Sequence, residues 1–456
     1  MANQRRPAEK DEFCKQRDRA TPSATTATAM HTPRIICILD GMADLPARDG
    51  QPTPLAAAHT PTLDHLAATG TAGLCQVIPC GAEAGSDAGI PALLGYDPLR
   101  HPAARGPLEA LAAGLTLAPR DTAWRCNVVA LDAHGTIADP AATLLPATEQ
   151  TIARIVSEAF PPPSHATAHG GGFRFTVVER DTASHAASPS SPVISSSPTP
   201  AFTAPTPFTP AGPQDVVGQS PADALSNLAH HHPALHARIT AANAHLARYT
   251  EKDAPHGLAL WPWGCGHRPD LPPFATRRTS TATASTPGAP LAAAMVAAVP
   301  LARGLALAAG LAAPEIPGAT GGADTDLAAK AAAALALLAD HAVVFIHVEG
   351  PDMCAHARDA RAKSALLARI DVELIAPLRT ARPDALLCVT CDHITHCGDG
   401  RHHPDAVPFL LHGPGTLPHP AARFDEAACA ATGLRIPSGP ALLDLILRAE
   451  TNRAGA

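Results

Sequence analysis

Three short apolar runs recur along the chain, and each leads into an aspartate: RIICILD ends at Asp40, HAVVFIHVEGPD at Asp352, and ALLCVTC runs into Asp392. The runs are continuous rather than alternating, the pattern of strands covered on both faces. Between them lie helical stretches with apolar residues three and four apart: PTLDHLAATG from Pro61, TDLAAKAAAALALLAD from Thr325, and AKSALLARIDVELIAPLR from Ala362. Buried strands alternating with such helices predict an α/β fold, with a mainly parallel sheet and helices on both faces. Ligands of these sheets bind beyond the carboxyl ends of the strands. Three aspartates there would line one edge, which is how a cation site is built.

Other stretches carry no such pattern. Residues 1–29 are polar and charged, without the apolar segment of a secretory signal. They read as a disordered tail, with Met30 as a possible natural start. A Ser/Pro/Ala/Thr-rich stretch at 182–213, centred on SPSSPVISSSPTP, reads as a flexible loop, as does Arg277 to Pro290.

Composition narrows the classes of function. The 456 residues suffice for two domains. With 34 Lys+Arg against 41 Asp+Glu, no basic excess points to nucleic acid. No apolar run reaches the roughly 18 residues of a membrane span. The eleven cysteines are odd in number and scattered, so a reducing cytoplasm is expected rather than a disulfide framework. Cys388 and Cys391 have CxxC spacing, but on a strand they point to opposite faces and read as buried thiols.

The chemistry-bearing residues cluster after the strands. Asp352 and His356 are four apart, Asp392 and His393 are adjacent, and His402 follows nine residues later. Carboxylates with imidazoles suit a divalent ion of intermediate hardness such as Mn²⁺ or Zn²⁺. Nearer the N-terminus, Ser86 sits in a glycine-rich turn, GAEAGSDAGIP, that opens a predicted helix. Free N–H groups there suit a phosphate, and a serine beside a metal can act as a nucleophile.

These residues lie within stretches that resemble the archaeal-type, cofactor-independent phosphoglycerate mutases of the alkaline phosphatase superfamily. The matching stretches are LDGMADLP, TPLAAAHTPTLDHLAATG, GSDAGIPALLGYDP, RGPLEALAAGL, WRCNVVALD, LWPWGCGHRPDLPPF, GATGGADTD, PDMCAHARD, and CDHITHC with HHPDAVPF. They occur in the family's order from Arg34 to about Leu411.

The resemblance implies an alkaline-phosphatase-like core from 30–110 and 300–456, with a smaller α+β substrate-binding domain inserted at 111–299. It implies two divalent ions, Mn²⁺ foremost, with Zn²⁺, Mg²⁺ or Co²⁺ as alternatives. Asp40, Ser86, Asp392 and His393 would hold one ion, and Asp352, His356 and His402 the other. Ser86 would carry the phosphoryl group between the hydroxyls of a small phosphorylated metabolite. Arg125, Asn127, Arg174, Arg268 and Lys330 would contact that substrate. The implied activity is interconversion of 3-phosphoglycerate and 2-phosphoglycerate without 2,3-bisphosphoglycerate, in the cytoplasm and with oligomeric state open. The chain departs from the family at Ile90, where asparagine is usual, at Ala355 for glycine, at Gln214 for histidine, and at Ile394 and His396 around Thr395. Ile90, so near Ser86, keeps a rival phosphotransferase open, such as a homoserine kinase-like enzyme.

Overall fold

The computed structural model describes residues 32–46, 50–181, 210–250, 256–277 and 290–449. The expected tail at 1–29, the Ser/Pro-rich stretch up to 209, and residues 278–289 lie outside them.

Seven strands form the principal sheet. In spatial order they are β14 (Arg435–Ile436), β2 (Thr71–Cys75), β13 (Val407–His412), β10 (Leu386–Thr390), β1 (Arg34–Leu39), β9 (Val343–Val348) and β8 (Ala293–Val296). The four strands β10, β1, β9 and β8 run parallel, and only β13 is antiparallel to its neighbours. Every residue of β1, β9 and β10 is buried. Helices cover both faces, so these strands have no solvent side to make polar.

Register places the site. Leu39 pairs with Val348, and Ile38 with Thr390, so β1, β9 and β10 end together at one edge. Asp40 leaves β1 at once and Asp392 follows β10 by two residues. Asp352 is not at a strand end but in the first turn of the helix Gly350–His356. After Asp40 the chain turns sharply at Gly41, with φ +57°. A Cβ there would stand 2.5 Å from Thr395 Oγ1 and 2.9 Å from Asp352 Oδ1, so the close approach requires glycine.

A second sheet is antiparallel and forms an inserted α+β lobe. It consists of β3 (Thr122–Leu131), β4 (Ile137–Asp139), β5 (His165–His169), β6 (Arg174–Glu179) and β7 (Leu258–Gly266). Helices Pro146–Ala159 and Pro233–Leu246 pack on it. Its core holds Trp124, Val128, Phe175, Leu260 and Trp261, separate from the core of the large sheet. The expected boundary at 299/300 is corrected. Strand β8 pairs with β9, and Leu271, Phe274 and Leu291 pack in the large core, which therefore resumes near residue 271.

Candidate active site

Two groups of ligand-type side chains converge at the carboxyl edge of the sheet. Asp352, His356 and His402 bring one ligand atom each within 4.8 Å of one another, and so do Asp40, Asp392 and His393. His356 lies one helical turn after Asp352, and its Nε2 is 3.2 Å from Asp352 Oδ2. His402 comes from the hairpin of β11 (Ile394–His396) and β12 (Arg401–His403). Its Nε2 is 3.4 Å from Asp352 Oδ1 and 2.9 Å from His356 Nε2. In the other group, His393 Nε2 is 3.4 Å from both Asp40 Oδ1 and Asp392 Oδ2. Ser86 opens the helix Ser86–Leu93. Its Oγ lies 3.1 Å from Asp40 Oδ2 and 3.1 Å from His393 Nε2.

Outer contacts fix the ring nitrogens. His356 Nδ1 donates to Gly400 O at 2.8 Å, and His402 Nδ1 to Ala84 O at 3.2 Å. Carbonyls only accept, so a neutral ring presents its Nε2 lone pair toward Asp352, and a ring that also carries a proton on Nε2 donates it there. Two lone pairs so close require a cation or a shared proton between them. Asp40 Oδ1 and Asp392 Oδ2 are buried without a hydrogen-bond partner. Burial, reinforced by the charges of Asp392, Glu349 and Asp352, pushes the Asp40 pKa well above the carboxylate range. Burial also opposes ionisation of Asp352, but hydrogen bonds from His356 and His402 outweigh it and hold that carboxyl below its ordinary value. Orphaned carboxylate oxygens and oriented imidazoles fit divalent metal ions.

A third group, Asp40 with His347 and Glu349, is explained by hydrogen bonding. Burial lowers the His347 pKa to about 4, leaving the ring neutral. Its Nδ1 has no partner, so its single proton sits on Nε2, 3.0 Å from Asp40 Oδ2. His347 thereby orients Asp40.

Ser86 faces a cavity of about 590 Å³. His356 and His402 line it too, as do Arg105, Arg125 and Arg174. Arg125 is already engaged: its guanidinium pairs with Glu109 and its Nε donates to Asn127 Oδ1 at 3.0 Å. Arg105 and Arg174 rest against aromatic rings, 5.8 Å from Trp263 and 4.7 Å from Phe173. Neither has an ion-pair partner among the described residues.

The sequence profile of the metalloenzyme superfamily matches residues 32–444. A 2,3-bisphosphoglycerate-independent phosphoglycerate mutase of Methanothermobacter thermautotrophicus is 32% identical over 411 residues, 86% of this chain and 91% of its own. One from Methanoculleus marisnigri is 32% identical over 419 residues, 91% and 96% of the two chains. The chain belongs to this mutase family of the metalloenzyme superfamily. A solved protein of Pyrococcus horikoshii superposes with a TM-score of 0.71 at 25% identity, covering 94% of this chain and 100% of its own. The cofactor-independent phosphoglycerate mutase of Thermoplasma acidophilum shares the fold, with a TM-score of 0.55 at 22% identity over 92% and 99% of the chains.

Set against the family's pattern, the expected ligand-type residues all stand in the two groups, with Ser86 beside Asp40 and His393. The expected substrate contacts divide. Arg125 and Arg174 line the cavity. Asn127 stands behind Arg125, accepting also from Trp263 Nε1 at 3.1 Å. Lys330 does not reach the cavity. It projects from the helix Leu327–Leu337 onto β9, where its Nζ donates to His347 O at 2.8 Å, and burial lowers its pKa to about 8. Arg268 is exposed on the loop after β7 and does not line the cavity. Ile90 is fully buried in the large core and does not line the cavity.

Sequence reasoning missed Arg105, Glu109, Arg303, His347 and Glu349. Arg105 and Glu109 sat in a matching stretch, RGPLEALAAGL, without a role. His347 and Glu349 were polar interruptions of an apolar run. Arg303 stands in an alanine-rich helix that gives no signal, yet it lines the cavity.

Proposed function

We propose that this protein is a metal-dependent phosphoglycerate mutase, interconverting 3-phosphoglycerate and 2-phosphoglycerate without 2,3-bisphosphoglycerate. The observation that carries the reading is that Ser86, Arg105 and Arg174 line one cavity. A small substrate with a phosphate at one end and a carboxylate at the other can meet both the serine and the arginines. Arg guanidinium groups suit such oxygens because one fork binds two of them.

Two divalent ions, Mn²⁺ foremost, held by Asp40, Ser86, Asp392 and His393 and by Asp352, His356 and His402, would supply Lewis-acid charge to phosphate and serine oxygens. Ser86 Oγ attacks phosphorus, the bond to the C3 oxygen breaks, and that oxygen takes up a proton. The C2 hydroxyl then gives up a proton and attacks the phosphoserine, returning Ser86. Asp40, oriented by His347, and His393 flank Ser86 Oγ and would hold it in line for attack, its proton leaving to solvent in the cavity. Arg105 and Arg174 hold the carboxylate end while the glycerate turns between the two attacks.

Cytoplasmic location is part of the same reading. Apart from Cys80 and Cys397, the described cysteines are buried, and all are unpaired. Among the described residues no helix is long and apolar enough to cross a membrane. Phosphorus NMR of metal-loaded protein with 3-phosphoglycerate alone tests the activity. The 2-phosphoglycerate signal should grow in. Its absence, with phosphoryl transfer from ATP to homoserine instead, would move the assignment to a kinase.

A further inference from the structure

Thr395 is fully buried, and one hydroxyl there touches both groups of ligand-type residues. Its Oγ1 donates to Asp352 Oδ1 at 2.6 Å and lies 3.1 Å from His393 Nδ1. A hydroxyl has one proton, and an ionised carboxylate can only accept. With that proton committed to Asp352, the lone pairs of Oγ1 receive the Nδ1–H of His393. The ring is then the tautomer whose Nε2 lone pair faces Ser86, Asp40 and Asp392. Were the hydroxyl turned around to donate to His393, the ring proton would move to Nε2 and block that lone pair.

The backbone of Thr395 is held independently. Lys363 is fully buried, and its Nζ donates to Thr395 O at 2.8 Å, to Ala43 O at 3.1 Å and to Asp44 Oδ2 at 3.1 Å. Asp44 in turn accepts from His396 Nδ1 at 2.6 Å and from the Cys397 N–H at 3.2 Å. The Thr395 N–H also donates to Ala43 O at 3.3 Å. Thr395 therefore sits on a fixed base, and its hydroxyl proton is the part free to reorient.

We infer that Thr395 is a positioning residue coupling the two half-sites. A cation on Asp352, His356 and His402 keeps Asp352 as the acceptor, fixes the hydroxyl, and prepares His393 as a ligand in the other group. This inference rests on the two-ion reading above, but its readout is metal affinity rather than turnover.

The test is calorimetric titration of the metal-stripped, full-length chain with Mn²⁺ alone. The quantity is the change in affinity at the Asp40–Asp392–His393 group when His356→Ala removes a ligand from the other. It is measured with Thr395 intact, with Thr395→Ser, and with Thr395→Val or Thr395→Ala. Mutual repulsion of two cations is common to all backgrounds, so the double-mutant comparison removes it. With the hydroxyl present, His356→Ala should weaken the remaining group by about 10-fold more than without it, within the about 10- to 100-fold range of outer-sphere ligand contacts. Thr395→Ser should behave as the parent. Thermal unfolding of each metal-free variant identifies those that fold, and either hydroxyl-free variant suffices. An identical effect of His356→Ala in all backgrounds overturns the coupling. If only one Mn²⁺ binds the parent chain, the two-ion reading fails instead, and the two failures are thereby distinguished.

Discussion

His356 Nε2 and His402 Nε2 stand 2.9 Å apart, each ring donating its Nδ1–H to a backbone carbonyl. Neutral imidazoles in that arrangement repel unless something positive lies between them. The pair is poised for a cation by contacts outside it, Gly400 O and Ala84 O, and not by the two rings themselves. Chelation should therefore abolish activity and Mn²⁺ restore it. His356→Ala and His393→Ala should each lower the bound metal from two ions to one. Elemental analysis of dialysed protein reads the stoichiometry; a single-site loss in neither variant would refute the division into two groups.

Acid–base linkage gives a second outcome. Burial, foremost, raises Asp40 well above its ordinary value and Glu349 to about 7. A carboxyl whose folded pKa exceeds its unfolded value stabilises the fold below the unfolded pKa. That contribution is lost as pH rises through the folded pKa. For Glu349 the window runs from its unfolded value of 4.5 to about 7. The melting temperature of metal-free protein should fall across this window, while bound metal offsets the carboxylate charge. The gap between loaded and metal-free melting temperatures should widen with pH. A gap independent of pH from 5 to 8 would contradict the charge assignment.

The arginines should separate by function. Arg105 carries no ion pair among the described residues, so Arg105→Met should leave stability unchanged and raise KM by about 10- to 100-fold, the equivalent of one lost charge-assisted contact of roughly 1.5–3 kcal/mol. Arg125 is paired with Glu109, and both are buried. Arg125→Met leaves a buried carboxylate alone, which costs about 3–5 kcal/mol. Its signature is a lowered melting temperature, which Glu109→Gln in the same chain should partly restore. Equal stability losses for Arg105 and Arg125 would remove the distinction.

Much of this site was legible in the sequence because strand ends and metal-type residues both leave local signals. Asp40 and Asp392 follow continuous apolar runs, and the i, i+4 spacing of Asp352 and His356 survives folding because both lie on one helix. The substrate wall was less legible, since it depends on which cations remain unpaired after folding. Arg125 carried a family match but spends its charge on Glu109. Lys330 carried one too, yet its helix packs against β9 and turns the ammonium to a strand carbonyl. Arg105 stood in a matching stretch but without a role, because its freedom from partners exists only in three dimensions. The domain boundary failed for a related reason: β8 is four residues long, and only its pairing with β9 assigns it to the large sheet.

Removing the nucleophile should be more severe than any change in the binding wall. Ser86→Ala retains the helix and its core contacts, so the fold should persist while turnover falls by about 10³-fold or more. Circular dichroism and the product assay together check this, and turnover within about tenfold of the parent would contradict covalent transfer.

The most direct measurement is rapid quenching of metal-loaded protein with 3-phosphoglycerate, followed by mass spectrometry of the peptide bearing Ser86 and analysis of the released glycerate. The account predicts one phosphoryl group on Ser86 during turnover and 2-phosphoglycerate in solution, with neither appearing in Ser86→Ala. Formation of 2-phosphoglycerate with Ser86 never phosphorylated would contradict the serine mechanism, and phosphorylated Ser86 without 2-phosphoglycerate would contradict the mutase itself.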